Sequence, residues 1–178
     1  MSASPLRSSQ MSSATAEWLQ PIPFQLFATL EFPWIANSEA AHKQWARLIN
    51  TIERSMRSRV CHVSAFENRS KSGGMVTLHI HSALAALNPI PPQLVTDTWL
   101  SLVGRTKSLQ SDLVKIEPLN DSKSAVPYIL KQIGDPDCDW DFHNVHLFNP
   151  LVQSAPQRDH VTLRSARRWQ QQASMVAA

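Results

Sequence analysis

Two histidines separated by one residue, His79 and His81, lie in the apolar run MVTLHIHSAL (residues 75–84). Alternate residues of a β-strand project to the same face, so both imidazoles would point the same way if this run is a strand. Such a pair can chelate one cation, although isolated pairs also occur as surface or hydrogen-bonded residues. The spacing therefore indicates a possible metal site and calls for a further ligand.

A carboxylate precedes this run, at Glu67 in the segment SAFEN, followed by the turn sequence SKSGG. If the two segments pair as a hairpin, Glu67 can approach the face that carries the histidines. One carboxylate with two imidazoles leaves positions for substrate oxygens, which suits Mg²⁺ or Mn²⁺ acting on phosphate groups. The same set could hold Fe(II) or Zn²⁺, and His62 is a less suitable alternative for the third ligand.

The only tyrosine of the chain, Tyr128, occurs in VPYILKQIGD, and Lys131 follows three residues later. On a helix these two side chains share a face. A phenol with a pKa near ~10 is a poor nucleophile at neutral pH, and a nearby ammonium or a metal-bound phosphate would ease its attack. Taken alone, a single helical tyrosine is more simply explained as a packing residue.

Apolar periodicity and turn residues predict the elements that must position these groups. The expected order is a strand at 24–32, a helix at 37–59 capped by Asn37 or Ser38, strands at 59–68 and 75–84, a helix at 91–104, a strand at 112–119 and a helix at 122–135. This is the βαββαβ pattern of an α+β, ferredoxin-like fold with a central antiparallel sheet and an added C-terminal helix that carries the tyrosine. Its helices should cover one face of the sheet and leave the other open for a site.

Composition is ordinary for a globular protein, with 178 residues, 43% of them hydrophobic, and a formal net charge of +3. We expect a flexible leader at 1–20, one folded domain at 21–150 and a basic polar tail at 151–178. Two distant cysteines argue against a disulfide framework and favour a reducing, intracellular compartment. No apolar run approaches the length of a membrane span.

Three motifs in order, FATLEF, LHIHSAL and YILK, resemble those of the HUH endonuclease superfamily, in particular its rolling-circle replication initiators. That family has an apolar first motif, a His-hydrophobic-His metal motif and a Tyr-x-x-Lys motif on a helix. The resemblance extends over about residues 24–135. The chain differs from many members of the superfamily because it has one tyrosine where some branches have two. Its sequence also contains no Walker A loop.

The resemblance assigns a role to each of the residues introduced above. His79 and His81 match the paired metal ligands, and Glu67 is similar to the carboxylate that many initiators supply from the preceding strand. Tyr128 matches the nucleophile and Lys131 the lysine beside it. The implied activity is metal-dependent nicking and joining of single-stranded DNA through a 5′-phosphotyrosine, with Mg²⁺ or Mn²⁺ as cofactor, initiating rolling-circle replication of a plasmid, phage or virus.

The resemblance implies that the chain binds single-stranded DNA or an origin hairpin. Further implied partners are a host helicase and a second copy of the chain, and no membrane is involved. The location would be the cytoplasm of a bacterial or archaeal host, or the host nucleus for a eukaryotic virus. DNA affinity should come from basic and stacking side chains. The candidates are Arg57, Arg59, Arg69, Lys71 and Trp34.

Other functions remain open on the sequence. A transposase or a relaxase of the same superfamily would use the same chemistry, although relaxases are usually larger chains with a third histidine. A non-catalytic ferredoxin-like nucleic-acid-binding module would usually carry aromatic residues on the open sheet face, where histidines and threonine are predicted here. A metal-dependent oxygenase would leave the tyrosine unexplained.

Overall fold

The structure is a computed structural model, which describes residues 13–69, 75–104, 113–119, 130 and 139–148. Within them the chain forms a five-stranded antiparallel sheet and three helices, so the predicted α+β class is confirmed. The first helix covers residues 13–19. The other elements are β1 (Leu26–Glu31), α1 (Ser38–Met56), β2 (Val60–Arg69), β3 (Met75–Ala86), α2 (Pro92–Leu102), β4 (Val114–Pro118) and β5 (Asp139–His143).

The strands are ordered β4-β1-β3-β2-β5, and every neighbouring pair is antiparallel. The first four strands therefore follow the order expected for a βαββαβ chain, with β3 inserted between β1 and β2. Strand β5 was not predicted and extends the sheet beside β2. The added C-terminal helix predicted at 122–135 lies outside the described residues, except for Leu130, which is helical.

Helix α1 confirms the clearest periodic pattern of the sequence. Of the two candidate caps, Asn37 is the one used, because its side-chain oxygen accepts a hydrogen bond from the backbone N–H of Ala40 at 2.8 Å. The helix ends at Met56, three residues before the predicted limit, where Arg57 adopts a left-handed conformation. Its buried face points at the sheet and comprises Ala41, Trp45, Leu48, Ile49 and Ile52.

The main core lies between the two long helices and one face of the sheet. Leu30, Ile80 and Leu84 supply the sheet side and are fully buried. Trp45 and Trp99 fill the helix side, as their positions on apolar stripes predict. The indole N–H of Trp99 donates to the carbonyl of Glu31 at 3.1 Å, which ties α2 to the end of β1.

The opposite face of the sheet is partly covered, which corrects the expectation of an open face. A second apolar cluster forms there around Val63 and Ala83 and includes Leu19 and Leu130, both almost fully buried. Leu19 belongs to the segment predicted as a flexible leader, so the folded part of the chain begins before residue 21. Periodicity could not reveal this cover, because it is built by residues distant in sequence. Among the described residues, no helix is long and apolar enough to cross a membrane.

Candidate metal centre

The β2–β3 hairpin brings the three predicted ligands together. Glu67 pairs directly with His79, and His81 lies two residues further along β3, opposite Ala65. Since alternate strand residues share a face, all three side chains project from the same side of the sheet. The register shifts between Glu67 and Arg69, and such a bulge commonly re-aims a neighbouring side chain. The hairpin prediction is therefore confirmed.

The three side chains form one compact group of possible ligand atoms. The Nε2 atoms of His79 and His81 lie 3.6 Å and 3.8 Å from the same oxygen, Oε2 of Glu67. One ligand atom from each residue lies within 4.8 Å of the others. Metal–ligand bonds of about 2.1 Å place neighbouring donors roughly 3–4 Å apart, so this group fits a single divalent cation. Glu67 and His81 are buried, and His79 is partly exposed, which leaves one accessible side.

Hydrogen bonds to the far side of each ring hold both imidazoles with Nε2 toward Glu67. Nδ1 of His79 lies 3.2 Å from the carbonyl oxygen of Thr77, which can only accept, so this ring atom is the donor. Nδ1 of His81 lies 3.1 Å from the hydroxyl of Thr29 on β1. Phe27 stacks on the His81 ring at 5.9 Å between centroids. Partners of this kind fix the ring orientation of metal ligands.

The local charge is negative and favours a cation. The hydrogen bond that His79 donates to Glu67 raises the pKa of His79 above its ordinary value, against the opposing effect of burial. The Thr77 carbonyl and the charges of Glu67 and Glu31 act in the same direction. Glu31 lies opposite His79 in the pairing of β1 with β3. A proton or a metal ion placed at the imidazoles is therefore stabilised by two carboxylates.

Sequence reasoning missed Thr29 and Glu31 as members of this site. Both occur in the first motif, FATLEF, where alternation places them on one face with Phe27. The alternation within this motif can be read from the sequence. The pairing of β1 with β3, which sets Thr29 opposite His81 and Glu31 opposite His79, joins segments about fifty residues apart and is not encoded in either one alone.

Removing the Thr29 hydroxyl is expected to weaken metal binding. Thr29→Val keeps the shape of the side chain but loses the bond to His81 Nδ1, and loss of such a partner typically costs 10–100-fold in metal affinity. Thr29→Ser retains the hydroxyl and should stay within about threefold of the original chain. Titration with Mn²⁺ followed by electron paramagnetic resonance measures both. Equal affinities for the valine and serine variants would remove Thr29 from the site.

His62 is excluded as a ligand of this group, because it projects from the opposite face of β2 and packs against Trp45. It is buried, and its Nδ1 lies 3.0 Å from the hydroxyl of Ser64. Burial, and secondarily the charges of His143 and His42, hold the pKa of His62 well below its ordinary value. The half-buried Asp141 lies on the neighbouring strand, and its partial burial raises its pKa to about 6.

These two shifts predict opposite effects of pH on stability. A histidine with a lowered folded-state pKa takes up its proton mainly on unfolding, so the stability that neutral His62 contributes is progressively lost as pH falls below about 6.5. The raised pKa of Asp141 stabilises the fold at low pH, and that effect is lost as pH rises through about 6. Denaturant unfolding between pH 5 and 7.5 should show a smaller loss on acidification for His62→Gln and a larger one for Asp141→Asn. Parallel curves for the two variants would contradict this.

Of the other predicted site residues, the three that the structure describes are divided between the two ends of the sheet. Trp34 follows the end of β1 that carries Glu31, is 41% exposed and packs edge-on against Phe32. Arg57 and Arg59 precede β2, at the end of the hairpin away from Glu67. The remaining candidates lie outside the described part of the chain or have side chains outside it: Arg69, Lys71, Tyr128 and Lys131.

Leu130 is the described residue nearest in sequence to the predicted nucleophile. It is helical, 1% exposed and packed in the second apolar cluster, on the sheet face that also carries the metal group. Tyr128 is two peptide bonds away from Leu130 and Lys131 is one.

Comparison with known proteins gives no match to a family model, to a curated protein or to a solved structure.

Proposed function

We propose that the chain is an endonuclease of the HUH type, which nicks and rejoins single-stranded DNA through a covalent phosphotyrosine and initiates rolling-circle replication of a plasmid, phage or virus. The observation that carries the proposal is the convergence of Glu67, His79 and His81 on one side of the hairpin, within 4.8 Å. The order of the first four strands supports it, because the resemblance implies this arrangement.

Glu67, His79 and His81 would hold the cation, and Thr29 and Thr77 would keep the two rings oriented. When bound, the cation supplies Lewis-acid polarisation of a phosphate oxygen and neutralises developing charge. Mg²⁺ and Mn²⁺ both act on phosphates, and two imidazole ligands favour Mn²⁺ over the harder Mg²⁺. The partly exposed edge of His79 gives the scissile phosphate its approach.

Tyr128 is the proposed nucleophile, with Lys131 beside it. Its oxygen would form a bond to phosphorus while the bond from phosphorus to the 3′ oxygen breaks, and the phenolic proton would leave with the developing 3′-hydroxyl or with solvent. The ammonium of Lys131 lowers the cost of forming the phenolate. Burial of Leu130 on the metal-bearing face supports this assignment, because Leu130 stands between the two residues in sequence.

The phosphotyrosine conserves the energy of the broken ester, so a 3′-hydroxyl can later attack it and reseal the strand. The released 3′ end can prime synthesis, for which a host helicase would open the duplex. A chain with one tyrosine cannot hold two 5′ ends on separate tyrosines, so closure would use attack by a 3′-hydroxyl or a second copy of the chain, whereas attack by water would release an unsealed 5′-phosphate end.

A cleavage assay tests the proposal. The purified chain is incubated with Mn²⁺ and a library of single-stranded hairpins labelled at either end, with EDTA in parallel. We expect an upstream fragment with a free 3′-hydroxyl, a protein band shifted by the mass of the downstream fragment that it holds through a 5′ phosphate, and neither product in EDTA. Absence of any covalent product across a library that includes the element's own origin would contradict the proposal. The DNA surrounding the gene, an origin or transposon ends, then separates an initiator from a transposase.

A further inference from the structure

A cleft of about 300 Å³ opens at the C-terminal end of α1. It lies where the chain turns from α1 into β2, at the end of the hairpin away from the metal group. Arg54, Arg57 and Arg59 line it and are exposed, and one carboxylate, Glu53, opposes them. The remaining lining residues are Asn50 and Ser58.

The backbone that carries these residues forms a turn closed by two hydrogen bonds. Arg57 has φ 50° and ψ 37°, a left-handed conformation that glycine or asparagine usually occupies at a helix end. The N–H of Arg57 bonds to the carbonyl of Arg54 at 3.3 Å, and that of Ser58 to the carbonyl of Glu53 at 3.2 Å. An arginine at a position that favours glycine is a feature that points to function.

The carboxylate of Glu53 is engaged by neighbouring groups. One oxygen accepts from the backbone N–H of Val60 at 2.9 Å and from the amide of Asn144 at 3.2 Å, and the other lies 3.4 Å from Arg59. Among the described carboxylates none forms an ion pair with Arg54 or Arg57. Two guanidinium groups thus remain available to a ligand, and their planar donors suit phosphate oxygens.

We propose that this arginine cleft binds backbone phosphates of the DNA at a second site, away from the scissile phosphate. This inference rests on the proposed function, which supplies DNA as the ligand. Val60 and Glu67 are seven residues apart on β2, which corresponds to about 23 Å at a rise of 3.3 Å per residue. The cleft is therefore far enough from the metal group to contact phosphates several nucleotides away from the nick.

The test compares two pairs of charge removals on the same helix. Arg54→Gln with Arg57→Gln removes the cleft guanidiniums, and Lys43→Gln with Arg47→Gln removes two exposed charges elsewhere on α1. Binding of fluorescent dT20 is measured by anisotropy from 50 to 200 mM KCl. We expect the cleft pair to weaken binding at least fivefold and to reduce the salt slope by about 1.4, which is two phosphate contacts in a single strand. The control pair should stay within twofold.

Three results would overturn the proposal that the arginine cleft binds DNA phosphates. Equal losses in both pairs would show non-specific charge, and no loss in the cleft pair would show that the DNA passes elsewhere. Unchanged DNA binding together with a cleft-dependent affinity for inorganic phosphate would assign the site to a small anion. Arg57→Gly, which suits the left-handed turn, keeps the result readable if the glutamine pair unfolds. Binding needs no cleavage, so a chain that binds dT20 through the cleft but forms no covalent product would contradict the proposed function alone.

Discussion

Replacing His79 and His81 together by alanine is expected to abolish divalent-metal binding and covalent DNA cleavage in the same preparation. Glu67 would be the one ligand left in the group. A single carboxylate binds Mn²⁺ weakly, because it competes with the water molecules that coordinate the ion. We expect the Mn²⁺ dissociation constant to rise at least ~100-fold. The covalent product should fall below detection, because the polarisation of the phosphate is lost. Isothermal titration with Mn²⁺ and the gel assay measure the two effects on one sample.

The control for this change is His146→Ala, which removes an exposed histidine from the short 3₁₀ turn after β5. It should leave both readouts unchanged. Glu67→Gln gives an independent view of the third ligand, because it preserves size and removes the charge. An unaltered Mn²⁺ titration in the double histidine variant would refute the ligand assignment, whatever happens to cleavage.

Tyr128→Phe is expected to eliminate the covalent product and to leave Mn²⁺ and DNA binding within twofold. The variant removes one oxygen, the atom proposed to bond to phosphorus. Loss of a nucleophile of this type lowers the rate of the chemical step by at least about 10³-fold. The measurement is denaturing electrophoresis of a 3′-labelled hairpin after long incubation, with anisotropy on the same DNA.

Lys131 supplies the matched comparison for this second prediction. Lys131→Arg keeps a cation beside the phenol and should retain much of the rate, whereas Lys131→Ala should slow cleavage without changing metal affinity. Covalent cleavage by Tyr128→Phe at the original rate would remove Tyr128 from the mechanism and leave the metal group in need of another reaction.

The elements that sequence predicted well are those fixed by local patterns. The 3.6-residue period of α1 and the glycine turn between Glu67 and His79 depend on neighbouring residues, and the structure confirms the helix and the hairpin. Strand β5 was missed although DWDFH alternates apolar with polar residues, because it is short and aspartate is depleted in strands. The cover over the second sheet face depends on Leu19 and Leu130, which no local pattern joins.

The residues of the site also fall into two groups, those that a local pattern predicts and those that a long-range pairing brings in. His79, His81 and Glu67 could be predicted because one hairpin holds all three, and a hairpin follows from adjacent segments and their turn. Thr29 enters from β1 through a long-range pairing, so its role became evident only in the folded sheet. Tyr128 and Lys131 lie outside the described residues and remain predictions from the resemblance.

The measurement that tests the central claim most directly is peptide mapping of the covalent product. After reaction with Mn²⁺ and DNA and digestion with nuclease, trypsin would release residues 124–131, SAVPYILK, which contains the only tyrosine of the chain. We predict that this peptide carries the mass of the residual nucleotides, located by fragmentation on Tyr128. A nucleotide found on another residue, or cleaved DNA with every peptide unmodified, would contradict the account.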